Sequence, residues 1–337
     1  MSLQGLGQHG LRTLAAEFPL RGREPVDFFA AVRHEECPWL LETANLAGPS
    51  FIGSRPRWTL RTQHGRVALR SEGQEERSLD LRPMEALKAL WSSVSAPPRL
   101  EGLPFTGGLV GYLGYDMAHC FERLPCTTVD DLGLPDAVFF VPSYVLCVEP
   151  ALGRATLALQ AWDDQPDREA RRDLQDLLRR FDSAPPRPRP DSSILALGRD
   201  ADLRLPYDST HTREEYAEMV LAVKEYVAAG DIIQANISQR LSLAMEDDPL
   251  ALYERLRAIN PSPFAFIMDC GDHRLISCSP ERLLERRGRM LQTRPIAGTR
   301  RRGQVTHEDE ALRGELLMSE KERAEHIMLV DLERNDL

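Results

Sequence analysis

The chain runs to 337 residues and is short of several features that would assign its class at once. Its six cysteines (Cys37, Cys120, Cys126, Cys147, Cys270 and Cys278) form no C-x-x-C pair, so they read as reduced thiols of a cytoplasmic protein. Basic residues are outnumbered by acidic ones, 42 against 52. With a formal net charge of −10 nothing suggests a nucleic-acid footprint, and an anionic substrate would need a locally basic site. No apolar run is long enough to cross a bilayer, and the N-terminus lacks a basic region followed by an apolar stretch; no membrane contact is expected. The glycine-rich passage Phe105–Asp116 lacks both the G-K-[ST] ending of a phosphate loop and the G-x-G-x-x-G spacing. Its glycines, at 107, 108, 111 and 114, are expected to let backbones approach closely within a sheet.

What remains is an ordinary globular composition, 42% apolar and 28% charged, with chain enough for about two domains. The stretch Ser183–Asp191 is rich in proline and charge and reads as an extended linker. It divides the chain into a first region at 10–182, a linker at 183–204 and a second region at 205–337. The first region mixes β-type runs such as Ala137–Val148 with a charged helical pattern near 167–181. The second opens on a helix: Thr212 and Glu215 form a capping box, Tyr216, Met219, Val220, Val223, Tyr226 and Val227 share a face, and Gly230 ends it. Alternation then predicts a strand in which Ile233, Ala235 and Ile237 face one way, and Gln234, Asn236 and Ser238 the other. That polar face suits either a solvent-exposed edge or the wall of a polar cavity. Further strands are expected around Pro263–Met268, Leu275–Cys278 and Arg289–Ile296. Helices and antiparallel strands in blocks indicate an α+β fold.

Near the end of the sequence, Ser319 and Glu322 have capping-box spacing, and Glu322 and Glu325 lie three residues apart on one helical face. The pair is either a solvated charged face or a set of hard oxygen ligands for a cation such as Mg2+. The amphipathic pattern runs to Leu337 without a stop signal, so a chain truncated at its C-terminus is the expectation.

Four segments stand in order: Gly230–Arg240, Ser279–Leu283 (Ser-Pro-Glu-Arg-Leu), Thr293–Gly303 (Thr-Arg-Pro-Ile-Ala-Gly-Thr-Arg-Arg-Arg-Gly) and Glu322–Leu337. Together they closely resemble the chorismate-utilising enzymes, anthranilate synthase component I and aminodeoxychorismate synthase component I. Leu40–Ala44 with Ser50–Gly53, and Gly107–Asp116, resemble that family's N-terminal region; Asn260–Phe264 resembles part of its chorismate-binding domain. The resemblance implies a layered α/β sandwich with largely antiparallel sheets, here incomplete at the C-terminus.

It also implies roles. Chorismate carries two carboxylates and a leaving hydroxyl at C4. Glu281 matches the general acid that releases this hydroxyl as water, its pKa raised by partial burial. Glu322 and Glu325 match Mg2+ ligands, while Ala297, Gly298 and Thr299 lie in a substrate-carboxylate cradle. Gln234 stands where water-using relatives carry a basic lysine, which favours ammonia as the nucleophile. Ala297 stands where some aminodeoxychorismate synthases carry a nucleophilic lysine, and this favours direct attack as in anthranilate synthases. Gln234–Gln239, Ser279–Leu284 and Asp331–Asn335 look more like the aminodeoxychorismate enzymes, which is the leading expectation. Ammonia would come from a glutamine amidotransferase subunit. A tryptophan pocket is implied around Leu41, Glu42 and Thr43 and near Pro261, Ser262 and Pro263, although Thr43 replaces the usual serine. In relatives further chain follows Leu337, with more metal ligands and substrate contacts. The expected polypeptide is therefore unstable and inactive alone, with bared strand edges. A non-catalytic binding remnant is the alternative of another class.

Overall fold

The computed structural model describes residues 11–94, 100, 102–162, 165–189 and 207–337. Two compact units emerge: one formed by the chain to Arg189 together with Tyr253–Leu337, the other by Pro190–Leu252. Of the expected linker, 190–204 lies outside the described residues, as does residue 10 of the expected first region.

The first unit begins with β1 (Leu11–Pro19), α1 (Pro25–Ala30), β2 (Trp39–Glu42), β3 (Ser50–Gly53), β4 (Pro56–Gln63), β5 (Arg66–Ser71), β6 (Arg77–Leu79) and α2 (Pro83–Ser93). It continues through β7 (Val110–Leu113), β8 (Ala137–Pro142), β9 (Tyr144–Glu149), β10 (Arg154–Trp162) and α3 (Asp167–Asp182). Two antiparallel sheets result, one of seven strands in the order β1-β10-β9-β3-β2 and two later strands, the other of five in the order β6-β5-β4-β8-β7. The β-type run Ala137–Val148 is not one strand. Pro142 has no N–H for the ladder, and the chain passes there from the five-stranded sheet to the seven-stranded one. Ser143 braces the corner by donating from Oγ to the Arg55 carbonyl at 2.6 Å, beside the matching crossing between β3 and β4. Trp39, Val110, Val138, Phe140, Val145 and Met268 belong to one buried apolar cluster drawn from both sheets. Gly111 shows why a glycine is needed in β7, since a Cβ there would lie 2.0 Å from the Val138 carbonyl oxygen.

The second unit holds β11 (Asp208–Ser209), α4 (Arg213–Ala229) and β12 (Leu241–Ser242), with β11 and β12 paired. Both halves of the Thr212–Glu215 capping box form, and Gly230 closes α4 in the left-handed conformation at φ 81°. The strand expected at Ile233–Ser238 is absent. Alternation is only a precondition for a strand, which also needs a backbone partner, and this segment has none in a ladder. The Tyr216 hydroxyl donates to the Ile237 carbonyl at 3.3 Å.

After α5 (Pro249–Ile259) the chain adds β13 (Phe264–Asp269), β14 (Arg274–Ser279), β15 (Arg282–Arg287), β16 (Met290–Arg294), α6 (Thr306–Met318) and α7 (Glu320–Asp336). The three strands expected here are present. However, β13 pairs with β2 and carries β14 as the edge of the seven-stranded sheet. The sheet therefore runs across the boundary expected at the proline-rich segment, because the apolar face of β13 is buried against strands of the first region. The mixture of helices with antiparallel sheets is the α+β class that the sequence predicts.

Candidate active site

Residues 280–337 of the first unit bring together most of the expected site. The hairpin β15–β16 delivers the loop 295–303, which runs along the start of α7. Glu281 sits at the entry to β15, and its Oε1 accepts the Ile296 N–H at 2.8 Å. This contact ties the candidate acid to the base of the loop, where neither Arg282 nor Arg294 takes it as a partner. The partial burial expected for Glu281 is not found, for the residue is exposed.

Gly298 is pressed against Glu322. A Cβ at Gly298 would lie 2.0 Å from Glu322 Oε2, so only a glycine leaves this carboxylate in place. Ser319 caps α7 as expected, its Oγ accepting the Glu322 N–H at 3.4 Å. The reciprocal half of the capping box is missing because the Glu322 carboxylate has another partner: Arg300 Nη1 donates to its Oε1 at 3.1 Å. Arg300 Nε also donates to Glu315 at the end of α6, at 2.8 Å. Thr293 fastens β16 to α7 by donating to Glu333 at 2.5 Å. The loop residues Ala297, Gly298 and Thr299 thus lie beside the first turn of α7, while Glu325 occupies the same helix three residues beyond Glu322. Gln234 belongs to the second unit and is exposed.

The donor set suits a hard cation: carboxylate oxygens at i and i+3, a Cβ-free space beside one of them, and a guanidinium standing where a positive charge is wanted. Among the described residues no group of three or more histidine, cysteine or acidic side chains that could hold a metal ion assembles.

A second convergence lies around β2. Leu41 pairs with Phe266 and Glu42 with Ala265. The Ala44 N–H reaches the Ser262 carbonyl at 3.0 Å, which draws the Pro261–Pro263 turn against Thr43. Thr43 Oγ1 is committed to the Pro49 carbonyl at 3.0 Å. Glu42 is buried, takes the Tyr253 hydroxyl at 2.6 Å, and is 2.9 Å from Arg257. Burial pushes its pKa up against the pull of Arg257. Motif reading found Leu41, Glu42, Thr43, Pro261 and Ser262, but not the two residues of α5 that support Glu42. Arg300 lies within the Thr293–Gly303 motif, which by itself assigns it no task. The only sequence signal for that task is the basic run Arg300–Arg302 ahead of the acidic stretch on α6.

A family model for chorismate binding enzymes matches residues 36–337. The chain belongs to the chorismate-binding enzyme family. Anthranilate synthase component 1 of Cereibacter sphaeroides is 39% identical over 300 residues, covering 86% of this chain and 58% of that protein. Aminodeoxychorismate synthase component 1 of Bacillus subtilis is 33% identical over 299 residues, covering 88% and 62%. Among solved structures, anthranilate synthase component I from Streptococcus pneumoniae TIGR4 superposes with a TM-score of 0.69 at 29% identity, covering 86% of this chain and 61% of that one. The chain thus spans about three fifths of the length of the relatives it matches. As a family member it has homologues that are chorismate-utilising synthases of two kinds, and among the described residues no helix is long and apolar enough to cross a membrane.

Proposed function

We propose that this polypeptide carries part of an ammonia-dependent, Mg2+-requiring chorismate-aminating site. The observation that carries the reading is the loop 295–303, held between Glu281 and Glu322. The contact of that loop with Glu281 at its base and its close approach to Glu322 support reading the three as parts of one site. Glu281 would give its proton to the departing C4 hydroxyl, which leaves as water. The Gly298 N–H and the Thr299 hydroxyl would orient a substrate carboxylate. A bound Mg2+ would neutralise the ring carboxylate from Glu322 and Glu325. Ala297 offers no amine, so nothing at that position competes with ammonia for the ring carbon. Ammonia is ascribed to a glutamine amidotransferase partner, a reading supported by the "component 1" naming of the relatives.

The motif wording at Gln234–Gln239 and Ser279–Leu284 favours aminodeoxychorismate as the product. Anthranilate, formed by further loss of pyruvate, is a second reading favoured by Ala297 and by the Cereibacter relative. A tryptophan site at Leu41, Thr43, Pro261 and Ser262 fits the convergence around β2, although the Thr43 hydroxyl is already occupied. Cytoplasmic location goes with a biosynthetic role. The test is complementation by the whole reading frame in which this sequence lies, since this polypeptide by itself is expected to be inactive. Rescue of a p-aminobenzoate auxotroph, lost in Glu281→Gln and in Glu322→Gln, is expected. Rescue of a tryptophan auxotroph alone would select the second reading, and undiminished rescue by both variants would dismiss the site.

A further inference from the structure

We infer that Arg300 is the resident counter-ion of Glu322 and gates cation entry to it. This rests on the reading of Glu322 as a cation ligand. The two oxygens of that carboxylate have different neighbours: Oε1 takes Arg300 Nη1 at 3.1 Å, while Oε2 faces the space that Gly298 keeps clear. Both side chains are sheltered, at 25% and 16% exposure, so the guanidinium is not a loosely associated surface charge. A divalent cation arriving at Glu322 meets a fixed positive charge already bound to its ligand, and the two cannot share it without repulsion.

Arg300 has somewhere else to go. Its Nε already holds Glu315 of α6 at 2.8 Å, and Glu315 is the more exposed of its two acids. Cation binding would release the Glu322 half of the bridge and leave the Glu315 half standing. The planar fork makes this possible, since separate N–H groups serve the two acids. The same side chain also donates to the Thr299 carbonyl at 2.9 Å. A displaced guanidinium therefore perturbs the loop in which Gly298 and Thr299 lie. Cation and loop are coupled through one residue, and the coupling is reciprocal: whatever draws Arg300 away from Glu322 tightens cation binding. Arg300 is a positioning residue in this scheme, acting through Glu322 rather than on the substrate.

The test uses Mn2+ as the probe, titrated into the chain while the electron paramagnetic resonance signal of free Mn2+ is followed. Arg300→Gln is expected to bind Mn2+ roughly five- to tenfold more tightly than wild type, the size of a partly sheltered ion pair lost as competitor. Arg300→Lys keeps the competing charge and should return to within about twofold of wild type. Glu322→Gln should lose the site. Tightening cannot arise from poor folding, so a glutamine variant that binds no better than wild type overturns the gate. A lysine variant as tight as the glutamine one also overturns it. Mn2+ binding that is absent throughout, or indifferent to Glu322→Gln, removes the cation reading itself and the gate with it. Loss in Glu322→Gln with no gain in Arg300→Gln leaves the ligand and removes only the gate.

Discussion

Two regions of the first unit use the same kinds of residue to opposite ends. In the sheet-bearing part, α1 buries five residues, including Val26, Phe28 and Phe29. In the stretch after β14, neither α6 nor α7 buries any residue, and Ile327, Val330 and Leu332 on α7 are exposed. Charges divide in the same way. Asp27, Glu42, Arg257 and Glu254 are buried and paired around α1, β2 and α5, whereas Arg302 and Asp309 meet near the surface. An apolar or charged side chain has no fixed worth; its contribution is set by what else packs there. The first region buries its apolar faces, and the second carries the candidate site on elements whose helices bury no side chain.

Substitutions can break this contrast if it is wrong. The largest effect should come from Trp39→Ala in β2, at 0% exposure, which should cost about 4 kcal/mol. Leu283→Ala on β15, at 92% exposure, should stay within about 0.5 kcal/mol. Urea unfolding of both variants checks the pair, and similar losses would erase the distinction.

Next in size is Arg257→Met, which strands the buried Glu42 carboxylate and should cost about 3 kcal/mol near neutral pH. Burial raises the Glu42 pKa, so this carboxyl favours folding while protonated, and that contribution is lost as pH rises through its raised value. The Arg257→Met penalty should therefore shrink on acidification toward pH 4.5, the ordinary value for Glu. A penalty that grows in acid would contradict the assignment.

Glycines sharpen the comparison on a smaller scale. Gly111→Ala would drive a Cβ into the backbone of β8 and should destabilise by about 2 kcal/mol. Gly314→Ala in α6 meets nothing within 4 Å and should stabilise by about 0.5–1 kcal/mol through helix propensity. Thermal melts of the two should shift in opposite directions.

The smallest effect concerns Asp272, exposed but forked onto Arg61. Its hydrogen bonds to Arg61 hold the carboxyl down to about 2, against an ordinary 3.8. This stabilisation is present above the ordinary value and disappears as pH falls through about 2. Asp272→Asn should cost under about 1 kcal/mol at neutral pH and flatten the acid limb of the stability curve below pH 3.8. An unchanged acid limb would rule out the contribution.

Local signals carried some elements well. Thr212, Glu215 and Gly230 were sufficient to place α4, because caps act within one turn. The strands β13, β14 and β16 were legible from their β-type runs. Ile233–Ser238 was not, although its alternation is cleaner, since a ladder partner is a long-range matter. The site divides in the same way. Glu281, Gly298 and Glu322 could be named from motifs, and Ser319 from its spacing. That the Glu322 carboxylate turns from its own helix cap to Arg300, twenty-two residues earlier, could not be read from spacing.

The amino-acid sequence by itself determined the α+β class, the bounds of α4 and the start of α7, the absence of a membrane-spanning run and the residue types of the candidate site. These rest on periodicity, capping and composition, all of which act over a few residues. Tertiary structure alone decided that β13 completes a sheet begun at β1, that Ala137–Val148 serves two sheets, and that Glu42 lies buried against Tyr253 and Arg257. It also decided that Arg300 pairs with the Glu322 carboxylate. Pairing partners and burial are set by residues far apart in the chain, and no local pattern encodes which of them will meet.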